Sequence, residues 1–311
     1  PMFFFNRNTI HHPGENIPYE EQVRKLKEKI QNAEAIMLGA GSGLSTAAGF
    51  TYSGERFQKY FFDFAQKYPI QDMYSGGFFP FESPEEFWAW WSRNIYFNRY
   101  IDIHSYVYGN LKKIVEGKDY FVLTTNVDHQ FQKAGFEKER LFYTQGDFGL
   151  FQSTRPTVAK TYDNQEIVEK MLEAQGFVRD DAGIFQLPQD KKLKMSIPTE
   201  LIPICPDDGL PMTTNLRIDE TFVEDAGWKM AAKRYQDFLH NHSRKHVLYW
   251  ELGVGMNTPM IIKYPFWQMT YDNKNSIYAC LNLKEAFCPE NINSRSICID
   301  GDIGEVLKEL K

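Results

Sequence analysis

Leu38-Gly39-Ala40-Gly41-Ser42-Gly43-Leu44-Ser45-Thr46-Ala47-Ala48-Gly49 follows the apolar run Ala35-Ile36-Met37-Leu38. The run reads as a buried strand, and the small residues after it as a turn into a helix. A backbone carrying so little side chain can approach a phosphate closely. The helix that follows would aim its N-terminal amides and the positive end of its dipole at that anion. The stretch points to a nucleotide site, with a tightly packed strand-to-helix turn as the plainer alternative.

Outward from this stretch, residues 18–34 read as a charged amphipathic helix leading into the first strand. Further apolar strands are expected at residues 120–124, 140–143, 247–252, 276–283 and 296–299, several separated by helical stretches. Short apolar strands alternating with helices predict an α/β fold with a Rossmann-like parallel sheet. Two segments interrupt the alternation. Residues 55–110 are aromatic and helical in character, with Ser83 as cap, Pro84 at the first helical position and Glu86 at the third. Residues 150–220 are polar and weakly periodic, and their stretch at about 179–200 reads as a mobile loop or a hairpin. The expected organisation is a nucleotide-binding domain from residues 18–54, 111–150 and 221–311, with insertions 55–110 and 151–220 forming a small domain. No internal repeat is visible.

Composition narrows the classes. The 311 residues are 42% hydrophobic and 24% charged, ordinary for a globular protein. A net charge of -6 argues against nucleic-acid binding. No run approaches the roughly 20 apolar residues that span a bilayer, so no membrane association is expected. Met2-Phe3-Phe4-Phe5-Asn6-Arg7 lacks the features of a signal peptide, and Pro1 before it reads as an added remnant. Cys205, Cys280, Cys288 and Cys298 do not suggest a disulfide framework, so cytoplasm is the default compartment. The 25 Phe and 17 Tyr imply large aromatic surfaces, from core packing or from an apolar channel.

Polar and glycine-rich clusters stand at the ends of the expected strands, where open α/β sheets bind ligands. They are Thr124-Thr125-Asn126-Val127-Asp128, Tyr143-Thr144-Gln145-Gly146-Asp147, Glu251-Leu252-Gly253-Val254-Gly255-Met256-Asn257, Cys280-Leu281-Asn282-Leu283 and Asp300-Gly301-Asp302-Ile303. Alternation would turn Asn126 and Asp128 to the crevice while Val127 packs. Capping of a turn or the next helix is the plainer reading of that pair.

On these residues the chain resembles the sirtuins, over roughly residues 20–310. Gly41 to Gly49 match the sirtuin phosphate loop without gaps, and Thr124 to Asp128 match Thr-Gln-Asn-Ile-Asp with Thr125 in place of Gln. Lys133-Ala134-Gly135 fits the helix that follows. Gly253-Val254-Gly255-Met256 corresponds to the Gly-Thr-Ser turn, Asn282 to the Asn that holds the adenosine ribose, and Gly301-Asp302 to the adenine-side motif. The resemblance implies NAD as cofactor. It implies cofactor contacts at Gly41, Ser42, Gly43, Ser45, Thr46, Thr125, Gly253, Gly255, Met256, Asn282, Leu283, Asp302 and Ile303, and catalytic roles for Asn126, Asp128 and Gln145.

The departures matter equally. Gln145 stands where the family has its catalytic His. Thr51-Tyr52-Ser53-Gly54 replaces Pro-Asp-Phe-Arg, with Arg56 shifted. The four-Cys zinc site is missing, and Cys205 alone does not make a tetrahedral site, so no metal is expected. Cys205 reads instead as a small buried hydrophobe. The inserted module therefore lacks the zinc site.

This combination is similar to the macrodomain-linked class M sirtuins of microbes. In a deacylase the His removes a proton from a ribose hydroxyl. Gln has no useful pKa and cannot. Transfer of ADP-ribose to a protein needs only the first half of that chemistry, so a mono-ADP-ribosyltransferase is expected. The alternatives are an NAD-dependent deacylase with a base from elsewhere and a non-catalytic NAD sensor. Asp147 is a candidate proton acceptor or a solvated loop carboxylate. His129, expected to point away from Asp128 in an extended chain, reads as structural. The resemblance implies an acceptor such as a lipoylated carrier akin to the glycine-cleavage H protein. It also implies a partner macrodomain hydrolase and a setting of oxidative stress.

Overall fold

The computed structural model of the chain describes residues 10–311, so the readings at Pro1 and at Met2 to Arg7 fall outside the described residues. Helix α1 (Tyr19–Asn32) buries Val23, Leu26 and Ile30 at helical spacing and leads into strand β1 (Ala35–Ala40). All of β1 is buried, as expected for a strand covered on both faces. After the short helix α2 (Ser42–Ala47) come α3 (Glu55–Lys67), α4 (Pro84–Ile95) and α5 (Val107–Val115). Ser83 caps α4 by accepting the Glu86 amide at 3.1 Å, with Pro84 at the first turn. A π-helical turn, Tyr96–Tyr100, follows α4.

Strands β2 (Tyr120–Thr124) and β3 (Leu141–Tyr143) extend the sheet on one side of β1. The chain then leaves it through β4 (Gly146–Ser153), α6 (Gln165–Gln175) and β5 (Met212–Leu216). Helix α7 (Ala226–Asn241) returns it to β6 (Val247–Leu252), followed by α8 (Lys263–Asp272), β7 (Ile277–Asn282), β8 (Ser296–Asp300) and α9 (Ile303–Leu310). The main sheet has the order β8-β7-β6-β1-β2-β3 with every pairing parallel. This is the doubly wound α/β sheet expected from the alternation.

The faces of β1 separate cleanly. Ile36 and Leu38 join Leu26, Leu111, Val122, Trp250 and Leu307 in one apolar cluster. Ala35 and Met37 join Phe121, Phe238, Tyr249 and Phe266 in the other. A Cβ at Gly39 would lie 2.4 Å from Ile262 and 2.7 Å from Phe266, so that glycine lets α8 close on the sheet.

A third, aromatic cluster gathers Phe57, Phe61, Phe64, Trp88, Trp90 and Phe97 with Phe151, Leu172 and Phe177. Arg93 lies inside it with no exposed surface. It donates to Asp63 at 2.7 Å, Gln175 at 2.8 Å and Lys194 O at 3.1 Å, tying α3, α4 and α6 to the 190s segment. The polar stretch from 179 carries a short hairpin, Val178–Arg179 against Phe185–Gln186. Cys205 is buried, its sulfur 3.4 Å from the Tyr162 hydroxyl, which also bonds Asp207. Among the described residues no group of three or more His, Cys, Asp or Glu stands together as a metal site would require. Among them, too, no helix is long and apolar enough to cross a membrane.

Candidate functional site

Strand order reverses between β1 and β6: the chain runs outward from β1 through β2 to β3, and from β6 through β7 to β8. In an open parallel sheet this is where a ligand crevice opens, beyond the carboxyl ends of the strands. Here both strands end in glycine turns, and the turns touch. A Cβ at Gly41 would lie 2.6 Å from Gly253 O, and one at Gly253, whose φ is +66°, only 2.3 Å from Leu44 N. Gly43 N donates to Gly253 O at 3.0 Å, and Gly41 N to Leu252 O at 3.1 Å. Side chains at these positions would drive the turns apart, so the glycines build a floor of bare backbone.

Above that floor lies a cavity of about 490 Å³. The sheet side contributes Gly41, Ser42, Thr125, Asn126, Val127, Gln145 and Gly255. The aromatic cluster's side contributes Tyr52, Met73, Tyr74, Phe78, Trp91 and Asn94, and the end of β5 adds Leu216 with Arg217 and Ile218 beyond it. The aromatic residues of 55–110 were open to reading as a cleft or as core, but no individual member of the Met73–Trp91 wall or of the 216–218 edge stood out in the sequence. Their aromatic and aliphatic character is indistinguishable in sequence from core.

The expected site residues divide. Gly41, Ser42, Thr125, Asn126, Gln145 and Gly255 line the cavity. Gly43 and Gly253 form its floor. Asn282 is buried and donates to Val254 O at 2.9 Å, fixing the β6 turn from β7. Met256 is half-buried, Thr46 exposed and Leu283 61% exposed. Asp302 caps α9 by accepting the Glu305 amide at 2.9 Å and borders a second cavity of about 310 Å³ beside Ala47 and Tyr106. Ile303 is buried in the core with Val306 and Leu307.

The expected alternation across residues 126–128 does not hold, because β2 ends at Thr124 and the period of two ends with it. Val127 lines the cavity beside Asn126, while Asp128 turns inward and is buried. Asn126 Nδ2 donates to Gly41 O at 2.9 Å, pinning the β2 turn to the β1 turn. Ser45 Oγ donates to Asp128 Oδ2 at 2.5 Å and stands 2.5 Å from the Tyr108 hydroxyl. Burial pushes the Asp128 carboxyl up to about 6, against the pull of the Ser45 hydrogen bond. Tyr108 is buried and Tyr52 half-buried around the same carboxyl, and both phenols are pushed up by desolvation and by that charge.

Gln145 Oε1 is buried with no hydrogen-bond partner. An unmatched buried acceptor costs about 1–3 kcal/mol, and a ligand hydroxyl would relieve it.

Asp147 is neither solvated nor free. Its Oδ1 accepts from Gly149 N at 2.7 Å and Arg99 Nε at 3.0 Å, and its Oδ2 lies 2.5 Å from His129 Nδ1. The pairing with His129, the Arg99 charge and the Gly149 amide hold the carboxyl below its ordinary range despite burial. A carboxylate so occupied is unsuited to take a proton from an acceptor. His129 is not in extended chain: its φ is +66°, so its ring meets Asp147. The trio braces the loops after β2 and β3 against the π-helical turn. Arg56 is likewise structural, donating to Thr51 O at 2.7 Å and Asn98 Oδ1 at 3.1 Å and so holding the segment that presents Tyr52.

No family model matches the chain. A solved Sir2 bound to acetylated peptide superposes with a TM-score of 0.57 at 17% identity, over 93% of this chain and 96% of that one. A Sir2 homolog–NAD complex gives 0.56 at 16% identity, over 98% and 96%. The molecule has the sirtuin fold. Over 288 residues the chain is 38% identical to a protein ADP-ribosyltransferase of Staphylococcus aureus strain Mu50, covering 92% of this chain and 86% of that one. It belongs to that ADP-ribosyltransferase family. It is also 27% identical over 314 residues to a probable bifunctional ADP-ribose hydrolase/ADP-ribosyltransferase of Fusarium oxysporum f. sp. cubense, covering 95% of this chain and 48% of that longer protein.

Proposed function

We propose that the protein transfers ADP-ribose from NAD to a protein acceptor. The observation that carries this reading is Gln145, a cavity residue with an unmatched buried oxygen, at the position where the sirtuin pattern has a base. The fit to NAD rests on that oxygen and on the Gly41–Gly253 floor, which a Cβ would fill.

NAD, when bound, would supply the ADP-ribosyl group: the acceptor's nucleophile would bond to the ribose carbon as nicotinamide leaves it, with the nucleophile's proton released to solvent. The chain's part is positioning and electrostatics. Gly41, Ser42 and Gly43, with Ser45 and Thr46 behind them, receive the phosphates. Gly253, Gly255 and Met256 with Asn282 and Leu283 form the adenosine side, while Asp302, at the second cavity, and Ile303, in the core, stand apart from it. Asn126 and Gln145 accept hydroxyls of the nicotinamide-side ribose, with Thr125 beside them, and Asp128, buried behind them, contributes its negative charge rather than a contact. Gln145 cannot remove a ribose proton, so deacylation lacks its base while transfer does not need one. Residues 55–110 and 151–220 serve as a small domain that closes the acceptor side over residues 18–54, 111–150 and 221–311.

The acceptor is a lipoylated carrier of the glycine-cleavage H type, and the enzyme works in the cytoplasm under oxidative stress as a class M sirtuin. A partner macrodomain hydrolase reverses the mark. The joint naming of the Fusarium relative as hydrolase and transferase supports that pairing.

The test incubates the protein with labelled NAD and an H-type carrier, lipoylated and unlipoylated, and reads intact-protein mass. One added ADP-ribose on the lipoylated carrier, lost with Asn126→Ala, is the expected result. Transfer to neither carrier while NAD binds would overturn the acceptor assignment and favour a sensor.

A further inference from the structure

Tyr108 has no part in the chemistry above, yet it is buried beside it. It sits on α5 with its hydroxyl 2.5 Å from Ser45 Oγ, and Ser45 Oγ is 2.5 Å from Asp128 Oδ2. On its other side, Asn126 Nδ2 approaches the Tyr108 hydroxyl at 3.4 Å while also donating to Gly41 O at 2.9 Å. Four side chains thus form one line from Asn126 to Asp128.

The direction of that line follows from proton counting. An ionised carboxylate only accepts, so Ser45 gives Asp128 its single hydroxyl proton. Ser45 then accepts from Tyr108, whose own proton is spent in that bond. Tyr108 is left to face Asn126 as an acceptor, and only the amide nitrogen can meet it. Gly41 O demands the second hydrogen of the same nitrogen. Asn126 is therefore held one way round, with Oδ1 as the free group of a residue that lines the cavity.

We propose that Tyr108 is a positioning residue. Through Ser45 it ties the amide orientation of Asn126 to the negative charge of Asp128, and so presents Asn126 Oδ1 to a ribose hydroxyl. The inference rests on the transferase reading, which puts the nicotinamide-side ribose at Asn126. Protonating Asp128 weakens the constraint: a neutral carboxyl can donate to Ser45, the Tyr108 hydroxyl proton then turns toward the Asn126 nitrogen, and two donors face each other, leaving Gly41 O alone to hold the amide. That change falls near pH 6. The other groups around Asp128 are the Gln130 amide, which donates at 3.4 Å, and Tyr52, Lys133 and Asp147. Asp147 is in turn held by His129 and Arg99.

ADP-ribose is the discriminating probe, since it keeps the ribose that Asn126 would hold and lacks nicotinamide, so the ribose contact is read by itself. Calorimetric titration between pH 5 and pH 8 should show the intact protein losing affinity as the pH falls, with a midpoint near 6. Tyr108→Phe should bind about 3- to 10-fold more weakly at pH 8, the span of one lost hydrogen bond, and lose the pH dependence. Ser45→Ala breaks the line one link nearer the carboxylate and should reproduce both effects, and a thermal melt verifies that each variant is folded. A purely structural role for Tyr108 would lower the melting temperature and leave the pH midpoint in place. Unchanged affinity and pH profile in Tyr108→Phe would overturn the relay alone. Failure of the intact protein to bind either NAD or ADP-ribose would overturn the transferase reading and the relay with it.

Discussion

Asp128→Asn should make the protein more stable while removing its function. Burial raises the Asp128 carboxyl from 3.8 to about 6. An acid whose folded pKa lies above its unfolded one binds its proton more tightly in the native state. Stability is therefore lost as the pH rises from about 4 through 6. At about 1.4 kcal/mol per pH unit, holding the charge costs about 3 kcal/mol at pH 8 and about half that at pH 5. Asn removes the charge, nearly keeps the shape and can still accept from Ser45. Scaled to a chain of this length, the gain in melting temperature is about 4 °C at pH 8 and about 2 °C at pH 5. Scanning calorimetry of both proteins at the two pH values reads the difference directly, and acceptor modification should be lost. A variant no more stable than the parent at pH 8, or one whose advantage does not shrink in acid, would refute the reasoning.

Three further outcomes follow from the geometry. Gly253→Ala places a Cβ 2.3 Å from Leu44 N at a positive φ. It should cost about 2–4 kcal/mol in urea unfolding and weaken NAD binding at least tenfold, and unimpaired NAD titration would contradict the shared floor. Arg93→Met should cost about 3 kcal/mol, because it leaves the Asp63 and Gln175 oxygens short of partners, and a loss under about 1 kcal/mol in urea would count against it. Gln145→His restores a base and should yield detectable acyl-ADP-ribose from an acetyl-lysine peptide. No gain would mean that the acyl channel, with Tyr52 and Trp91 in its wall, has diverged as well.

The strands of the main sheet were legible because buried parallel strands are continuous apolar runs, and Ala35–Ala40 and Val247–Leu252 are such runs. The glycine turns were legible because little else uses small residues in that density. Strand Gly146–Ser153 was not, since its two glycines and Asp147 read as turn while its partner Met212–Leu216 lies far along the chain. Asp147 and His129 were unreadable for a related reason: their meeting depends on a left-handed backbone at His129 that no local pattern announces. Tyr108 sits on a helix among Val107, Leu111 and Val115, where a tyrosine passes for core. Its hydroxyl gains meaning only from Ser45 and Asp128, 63 residues before it and 20 after it in the chain.

The contact between the Gly41 and Gly253 turns also has a consequence in time. The backbone of His246, entering β6, bonds Glu34 beside β1, across 212 residues of chain. At ribosomal rates of about 5–20 residues per second, β1 waits about 10–40 s for the strand that completes its pairing. Through that interval Ala-Ile-Met-Leu-Gly-Ala keeps an open edge on the side that β6 will take, even once β2 has paired on the other, and such an edge recruits stray strands. No nascent fragment ending before residue 247 contains both halves of the cavity floor. Assembly of the site and closure of the sheet are one event.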